Sequence, residues 1–305
     1  MHASIIVCTY NRADSLAHTL SCLKSQQLRT GFDWEVMVVD NNSKDATRAT
    51  VEAAMSGFPQ LRYEFEGRQG LSQARNHGIA LAKGDIALFT DDDVCPEPDW
   101  VQTILDSMAE HACDACGGYI APVWEKQPPA WLTERFYGFL AIKTDMVERQ
   151  ITSASDSPFG ANMAFRRELF ARHGTFDVTR GRMGNVLASG EDGELFERIL
   201  NGGGKVMYFP RARVHHRVEA FRVDKAYFRR WRFQTSRNLA ISRGVPGDRR
   251  VFNIPPYLVP QTLRALWRAA WGRLTATPDE AFNREIVVWH FLGTLQGLWQ
   301  RPKTQ

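Results

Sequence analysis

The sequence predicts an α/β fold with a mainly parallel sheet covered by helices on both faces, followed by a helical C-terminal extension. Over the first 95 residues, short apolar runs alternate with stretches of helical periodicity, a pattern that implies right-handed crossovers between parallel strands. Beyond residue 220 that alternation stops, and apolar residues recur at helical spacing among arginines.

Taken in order, residues 4–8 read as a strand and 14–26 as a helix with Leu16, Leu20 and Leu23 on its apolar face. Residues 34–39 are a second strand, 45–55 a second helix, 61–65 a short third strand, 71–82 a helix and 86–90 a fourth strand. Residues 119–156, rich in Trp, Pro and Phe, show weak periodicity and are expected to form a long, partly ordered excursion facing substrate. Regularity returns with a strand at 160–165 and a helix opening at Gly190-Glu191-Asp192 and ended by Gly202-Gly203-Gly204. A strand at 205–209 is expected to stop at Pro210. In the extension Leu263, Leu266, Trp267, Ala270, Trp271 and Leu274 share helical spacing, with Arg264, Arg268 and Arg273 on other faces. Thr277-Pro278-Asp279-Glu280 reads as a capping box that starts a last helix, whose apolar run is too short to cross a bilayer.

Charge is unevenly spread. Residues 211–250 hold twelve Lys or Arg against three Asp or Glu, a local +9, so the rest of the chain carries about −5 within a net +4. Such a basic surface suits anionic lipid, phosphate or nucleic acid, and equally a solvated helix. Five cysteines, an odd number in a chain long enough to bury a large core, do not fit a secreted disulfide framework. Cys113 and Cys116 lack a second pair for tetrahedral zinc and read as buried thiols. The chain opens without a basic leader and holds no bilayer-length apolar stretch, so a cytoplasmic location is expected.

The fourth strand ends in Asp91-Asp92-Asp93. Adjacent carboxylates repel, and each loses solvation on burial, so the fold alone gains nothing from the triplet. Asp91 and Asp93, at i and i+2 of an extended end, are expected to point the same way and to suit a hard cation, Mn²⁺ or Mg²⁺, shared with a diphosphate. An exposed acidic turn is the plainer alternative. Thr9-Tyr10-Asn11-Arg12 and Asp40-Asn41-Asn42-Ser43 end the first two strands, so three strand ends place polar groups on one rim, where ligands bind in such sheets.

From residue 4 to residue 217 a further series of motifs follows in order: Ile5-Ile6-Val7-Cys8-Thr9-Tyr10-Asn11-Arg12, Val38-Val39-Asp40-Asn41-Asn42-Ser43, Gly70-Leu71-Ser72-Gln73-Ala74-Arg75-Asn76, Asp91-x-Asp93, Gly160-Ala161-Asn162-Met163, Glu191-Asp192, and Tyr208-Phe209-Pro210 before His215-His216. In this the chain resembles the inverting family 2 glycosyltransferases of GT-A fold. The resemblance implies a catalytic domain over residues 1–220, with a nucleotide-binding half at 1–95 and an acceptor-binding half at 96–220, and a basic amphipathic extension at 221–305. It places the nucleotide-sugar on Thr9, Tyr10, Arg12, Asp40, Asn42, Arg75, Asp91 and Asp92. A carboxylate at Asp40 can accept from uracil N3–H, which favours a UDP-sugar, and Arg75 can pair with phosphate oxygens or, structurally, with Asp85 or the acidic run. The metal falls to Asp93, with Asp91 assisting and His216, rather than His215, completing the site. Asp192 would be the general base, assisted by Glu191, although an acid there can also cap its helix. Asn162, Met163 and Trp131 are expected to shape the acceptor pocket, with the aromatic excursion divided between sugar stacking and core packing.

The implied partners are a nucleotide-diphosphate sugar and a glycan or lipid-linked acceptor of the cell envelope, with no nucleic acid, a homodimer as one arrangement, and peripheral association of the basic extension with the inner face of the cell membrane. Two rivals use the same features. A nucleotidyltransferase would carry a glycine-rich basic loop after the first strand, where this chain has Thr9-Tyr10-Asn11-Arg12. A degenerate nucleotide- or sugar-binding module would not need both the acidic triplet and Glu191-Asp192.

Overall fold

A computed structural model describes residues 2–182, 190–247, 250 and 253–301. The described residues divide into two compact units, one of residues 2–123, 141–182 and 190–217, the other of residues 124–140, 218–247, 250 and 253–301. Residues 124–140, assigned from sequence to the first domain, thus count with the C-terminal unit.

In the first unit β1 (His2–Thr9), α1 (Ala13–Lys24), β2 (Asp33–Asp40), α2 (Thr47–Met55), β3 (Leu61–Phe65), α3 (Leu71–Leu81) and β4 (Ile86–Asp91) form the expected alternation. β5 (Val94–Pro96), α4 (Trp100–Glu110), β6 (Ala115–Trp124), β7 (Arg149–Ile151), β8 (Met163–Arg166), α5 (Glu168–His173), α6 (Glu191–Asn201) and β9 (Val206–Val218) complete it. The sheet runs β3-β2-β1-β4-β8-β6-β9-β5, with β7 beside β9. β1 is parallel to β2 and β4, and β2 to β3, while β8 is antiparallel to β4 and β6. The register sets Thr9 opposite Asp40 and Cys8 opposite Asp91, which aligns the three strand ends.

Both faces of this sheet are buried, which explains the unbroken apolar runs. Ile5, Val7, Val36, Val38 and Leu88 pack with Leu16, Leu20 and Trp100 on one face; Ile6, Met37, Val39 and Phe89 pack with Ala74, Leu195 and Phe196 on the other. The strand β9 continues through Pro210, contrary to the expected stop. Its partner β7 pairs residues 206–208 and its partner β5 pairs residues 214–216, so on that side Pro210 lies where no ladder bond needs its missing N–H. Cys22 and Cys95 form a disulfide between α1 and β5, a pairing 73 residues apart that cysteine spacing does not reveal, while Cys8, Cys113 and Cys116 are free. Within the excursion Asp156 takes Lys143 Nζ at 2.5 Å and Arg149 Nη2 at 3.0 Å, so its second half is pinned by ion pairs.

The second unit contains α7 (Lys225–Arg243), α8 (Leu258–Thr275) and α9 (Pro278–Gln300). α9 meets α7 through glycine: a Cβ on Gly293 would sit 2.3 Å from the Phe233 carbonyl oxygen, and one on Gly297 2.3 Å from that of Arg237. Thr277 is the N-cap of α9 and Pro278 its first residue, as expected, but the Thr277 hydroxyl donates to Asp279 Oδ1 at 2.5 Å and caps no backbone N–H. Among the described residues no helix is long and apolar enough to cross a membrane.

Candidate active site

The acidic triplet does not stay extended. β4 ends at Asp91, and residues 92 and 93 turn into β5, so the period-of-two expectation that pairs Asp91 with Asp93 does not apply. The turn instead sends Asp92 and Asp93 to a common cation. Arg12 Nη1 lies 2.5 Å from Asp93 Oδ2 and 3.3 Å from Asp92 Oδ1, and the buried Thr9 hydroxyl donates to Asp92 Oδ2 at 2.7 Å. His216 Nε2 stands 3.4 Å from the other oxygen of Asp93. Asp92 and Asp93 are buried, not an exposed turn. Burial pushes Asp92 up to about 7 against the pull of Arg12, and burial raises Asp91 as well, with Arg75 opposing it.

A second acidic group comes from α6. Arg75, on α3 and almost fully buried, places Nη1 2.6 Å from Asp192 Oδ1 and 3.2 Å from Glu191 Oε1, with Nη2 3.9 Å from Asp91 Oδ1. Its guanidinium also lies over the Phe176 ring at 5.1 Å. Burial alone would lower its pKa, but Asp192, Glu191 and Asp91 hold it above its ordinary value. Asp85, the alternative partner, accepts instead from the backbone N–H of His2 at 3.3 Å. Asp192 accepts the Gly160 N–H at 2.9 Å through Oδ2 and caps no N–H of its own helix, which removes the capping explanation for it. Burial raises Asp192 to about 6, with Arg75 opposing and Glu191 assisting. Glu191 Oε2 is buried and accepts no hydrogen bond among the described residues.

The remaining rim is built by local polar contacts. Asp40 accepts the Ser43 N–H and the Tyr63 hydroxyl, each at 2.8 Å. Asn42 adopts a left-handed backbone, φ +67°, and its side-chain oxygen accepts from Lys44 Nζ. Asn11, at φ +52°, accepts the Lys44 N–H and donates its own to Ser43 Oγ, which ties the first two rim loops together. Tyr10 is half-buried beside them. Asn41, not singled out from sequence, accepts the Gly70 N–H and donates to the carbonyls of Glu66 and Arg68, fixing the approach to α3. The sequence signal for it was there, in the run Asp40-Asn41-Asn42-Ser43, but nothing in the run separates the residue that braces from the residue that faces out.

Three expected site residues of the first unit serve other contacts. His215 alternates with His216 along β9, and its Nε2 meets Glu97 Oε1 at 2.6 Å, so it is not a ligand beside Asp93. Asn162 is fully buried and both its N–H donors are used: it accepts Trp100 Nε1–H at 2.9 Å and donates to the carbonyls of Tyr119 and Ala212. Met163 is in the core. Trp131 belongs to the second unit, its ring 4.6 Å from that of Phe282 and 5.2 Å from that of Phe228. Neither Asn162 nor Met163 offers an acceptor a free polar face.

The donor set fits a divalent cation of a particular kind. Asp93 and His216 converge to 3.4 Å and supply one carboxylate and one imidazole. Among the described residues three His, Cys, Asp or Glu donors come within 4.8 Å of one another only at His18, Cys22 and Cys95, so Asp91 does not close a third position at the triplet. A hard cation that takes most of its ligands from a diphosphate and water needs no more than two protein donors.

The family described as Glycosyl transferase family 2 matches residues 4–174. The chain is 29% identical over 229 residues to a glucosyl-dolichyl phosphate glucuronosyltransferase of Haloferax volcanii, covering 73% of this chain and 72% of the relative. It is 26% identical over 259 residues to the succinoglycan biosynthesis protein ExoM of Rhizobium meliloti, covering 83% and 80%. Among solved structures, it superposes on the mannosyltransferase PcManGT of Pyrobaculum calidifontis, in complex with GDP-Man and Mn²⁺, with a TM-score of 0.62 at 21% identity over 98% of this chain and 88% of the other.

Proposed function

The chain belongs to glycosyl transferase family 2 and is a glycosyltransferase of GT-A fold; from that premise we propose that it transfers a sugar, with inversion, from a nucleotide-diphosphate sugar to a hydroxyl of a glycan or lipid-linked acceptor. The observation that carries this reading is the span of Arg75, which links Asp192 at the start of α6 to Asp91 at the end of β4 and so holds a base and the strand-end acids within one side chain's reach.

Asp192 takes the acceptor hydroxyl's proton as the oxygen attacks the anomeric carbon. The bond from that carbon to the diphosphate oxygen breaks, and its electron pair leaves with the nucleoside diphosphate. A carboxyl raised to about 6 is ionised at neutral pH yet basic enough to accept a proton, and Arg75 keeps it ionised despite burial. Turnover should therefore fall as pH drops through about 6. Asp93 and His216 would hold Mn²⁺ or Mg²⁺, the former present in the mannosyltransferase complex, and the cation would supply charge neutralisation to the leaving diphosphate. Asp40 keeps a second lone pair on each oxygen, enough to accept uracil N3–H, which favours UDP as the nucleotide. A lipid-linked acceptor, the class in the Haloferax relative's name, would be met at a membrane, and peripheral association with its inner face is part of the same proposal.

Calorimetric titration with UDP, GDP and dTDP, each with and without Mn²⁺, tests the donor side. Metal-dependent binding of one nucleotide, lost in Asp93→Ala, is expected; binding that ignores both metal and substitution would reject the assignment. Asp192→Asn should keep donor affinity and lose about 10²- to 10⁴-fold in transfer. Near-normal turnover would mean that another group is the base.

A further inference from the structure

α8 is built inside out. Its buried positions are Leu258, Thr262, Ala265, Ala269 and Gly272, mostly small, and Ala265 and Ala269 pack with Val288 of α9. Its large apolar side chains face water: Val259, Leu263, Leu266, Trp267, Trp271 and Leu274 are exposed, Leu263 by 61%, Trp267 by 64% and Leu274 by 82%. At 100° per residue these six fall within an arc of about 140°, nearly opposite the small buried face. Trp267 and Trp271 stack with ring planes 10° apart, so the two indoles present one slab. A helix folded only for its own unit would turn these residues inward.

Charge frames the stripe. Arg264 and Arg268 lie at one edge of the arc and Arg273 at the other, all exposed. Arg273 approaches Glu285 Oε2 at 3.5 Å, whereas Arg264 and Arg268 form no ion pair among the described residues. α7 and α8 together carry nine Lys or Arg and no Asp or Glu. A second protein that covered an apolar stripe would have to bring matching acids; an anionic bilayer offers hydrocarbon and negative headgroups in one layer, the indoles and guanidinia lying at the boundary.

We propose that the exposed face of α8 is an interfacial membrane-docking surface that lies in the headgroup layer of an anionic bilayer, with Leu263, Leu266, Trp267, Trp271 and Leu274 in the acyl boundary and Arg264, Arg268 and Arg273 on the headgroup phosphates. The surface sharpens the membrane part of the proposed function by naming the element and the lipid charge, and it does not depend on Asp192 or on the identity of the donor.

The test is co-sedimentation of the full chain with phosphatidylcholine vesicles, with and without phosphatidylglycerol. Binding to the anionic vesicles is expected. Leu263→Glu with Trp267→Glu should cut it by at least about tenfold, since two large apolar side chains leave the boundary. Arg264→Gln with Arg268→Gln should cut it by about twenty-five-fold on anionic vesicles, each arginine being worth about fivefold, and leave the weak binding to neutral vesicles unchanged. The substituted positions are exposed, so the urea midpoint of each variant should match the parent and separate lost docking from lost folding. Turnover of a water-soluble acceptor should be unaffected, which separates failure of docking from failure of the transferase reading. No sedimentation of the parent with anionic vesicles would overturn the proposal. So would a dimer in sedimentation velocity that the Glu pair disperses while lipid binding persists, because the stripe would then belong to a second copy.

Discussion

At the end of β4 two of three adjacent carboxylates, Asp92 and Asp93, are drawn into the interior, whereas along α8 two tryptophans and their aliphatic neighbours are left in water. Ordinary burial would reverse both arrangements. The two cases differ in how they are compensated. The acids are held by protein groups, Arg12 across Asp92 and Asp93 and Arg75 across Asp91, Glu191 and Asp192, so that removing a cation should be felt at once by the fold. Among the described residues nothing covers the α8 stripe, so removing it should cost the fold almost nothing. A misplaced group that the fold answers reads as a site under tension; one it ignores reads as a surface awaiting something external.

The largest effect is expected at Arg75. Arg75→Ala leaves Asp192, Glu191 and Asp91 without their shared cation in a buried setting, and breaking one side of a buried ion cluster typically costs about 3–5 kcal/mol. Urea unfolding at pH 7 measures it. A loss under about 1 kcal/mol would mean that water already screens the cluster, and the contrast with α8 would collapse. Next in size is Gly293→Val. Because a Cβ there meets the Phe233 carbonyl at 2.3 Å, α7 and α9 must move apart, an overpacking cost of about 1–3 kcal/mol in the same assay.

Smaller, and opposite to the habit of most carboxylates, is the pH response of the triplet. Asp92 is raised in the folded chain to about 7, mainly by burial, so its unfolded form ionises at lower pH than its folded form. Its contribution to stability is full below the unfolded value near 4 and is lost as pH rises through about 7. Thermal melts of the parent between pH 5 and pH 8 should therefore fall more steeply than those of Asp92→Asn. The two curves should converge when UDP and Mn²⁺ are added, if a cation and diphosphate answer the remaining repulsion.

What the sequence disclosed follows the same division. The parallel half was legible because β1, β2 and β4 are buried on both faces, which leaves runs such as Val36, Met37, Val38 and Val39 whose shortness and β-branched content mark strands. The strand-end acids were legible as an electrostatic anomaly, and Asp192 and Arg75 by their motifs. Which acids pair was not, because the turn after Asp91 breaks the two-residue period. α4, β5 and β6 were not foreseen: β5 is three residues long, too short for any period, and the length of β6 rests on partners far along the chain. Asn162 misled for a different reason. Its three hydrogen bonds go to Trp100, Tyr119 and Ala212, which are remote in sequence, so a brace looked like a contact residue. On α8 the helical spacing was read correctly, but periodicity gives the stripe without saying whether it faces inward; only the small residues opposite it settle that.

The smallest effect sharpens the comparison most. Leu274→Ser removes a large apolar side chain that is 82% exposed, so it should change stability by no more than about 0.5 kcal/mol. Ala269→Leu adds only three carbons, yet at 7% exposure they must enter the contact with Val288 and Phe291, at a cost of about 1–3 kcal/mol. In an ordinary amphipathic helix these outcomes would be reversed: truncating the leucine would open a cavity, and enlarging the alanine would decorate a surface. Paired urea midpoints of the two variants decide the matter without any ligand. A Leu274→Ser loss of 2 kcal/mol or more, the range of buried truncations, would show that the stripe is already covered in solution, and its vacancy for a bilayer would have to be given up.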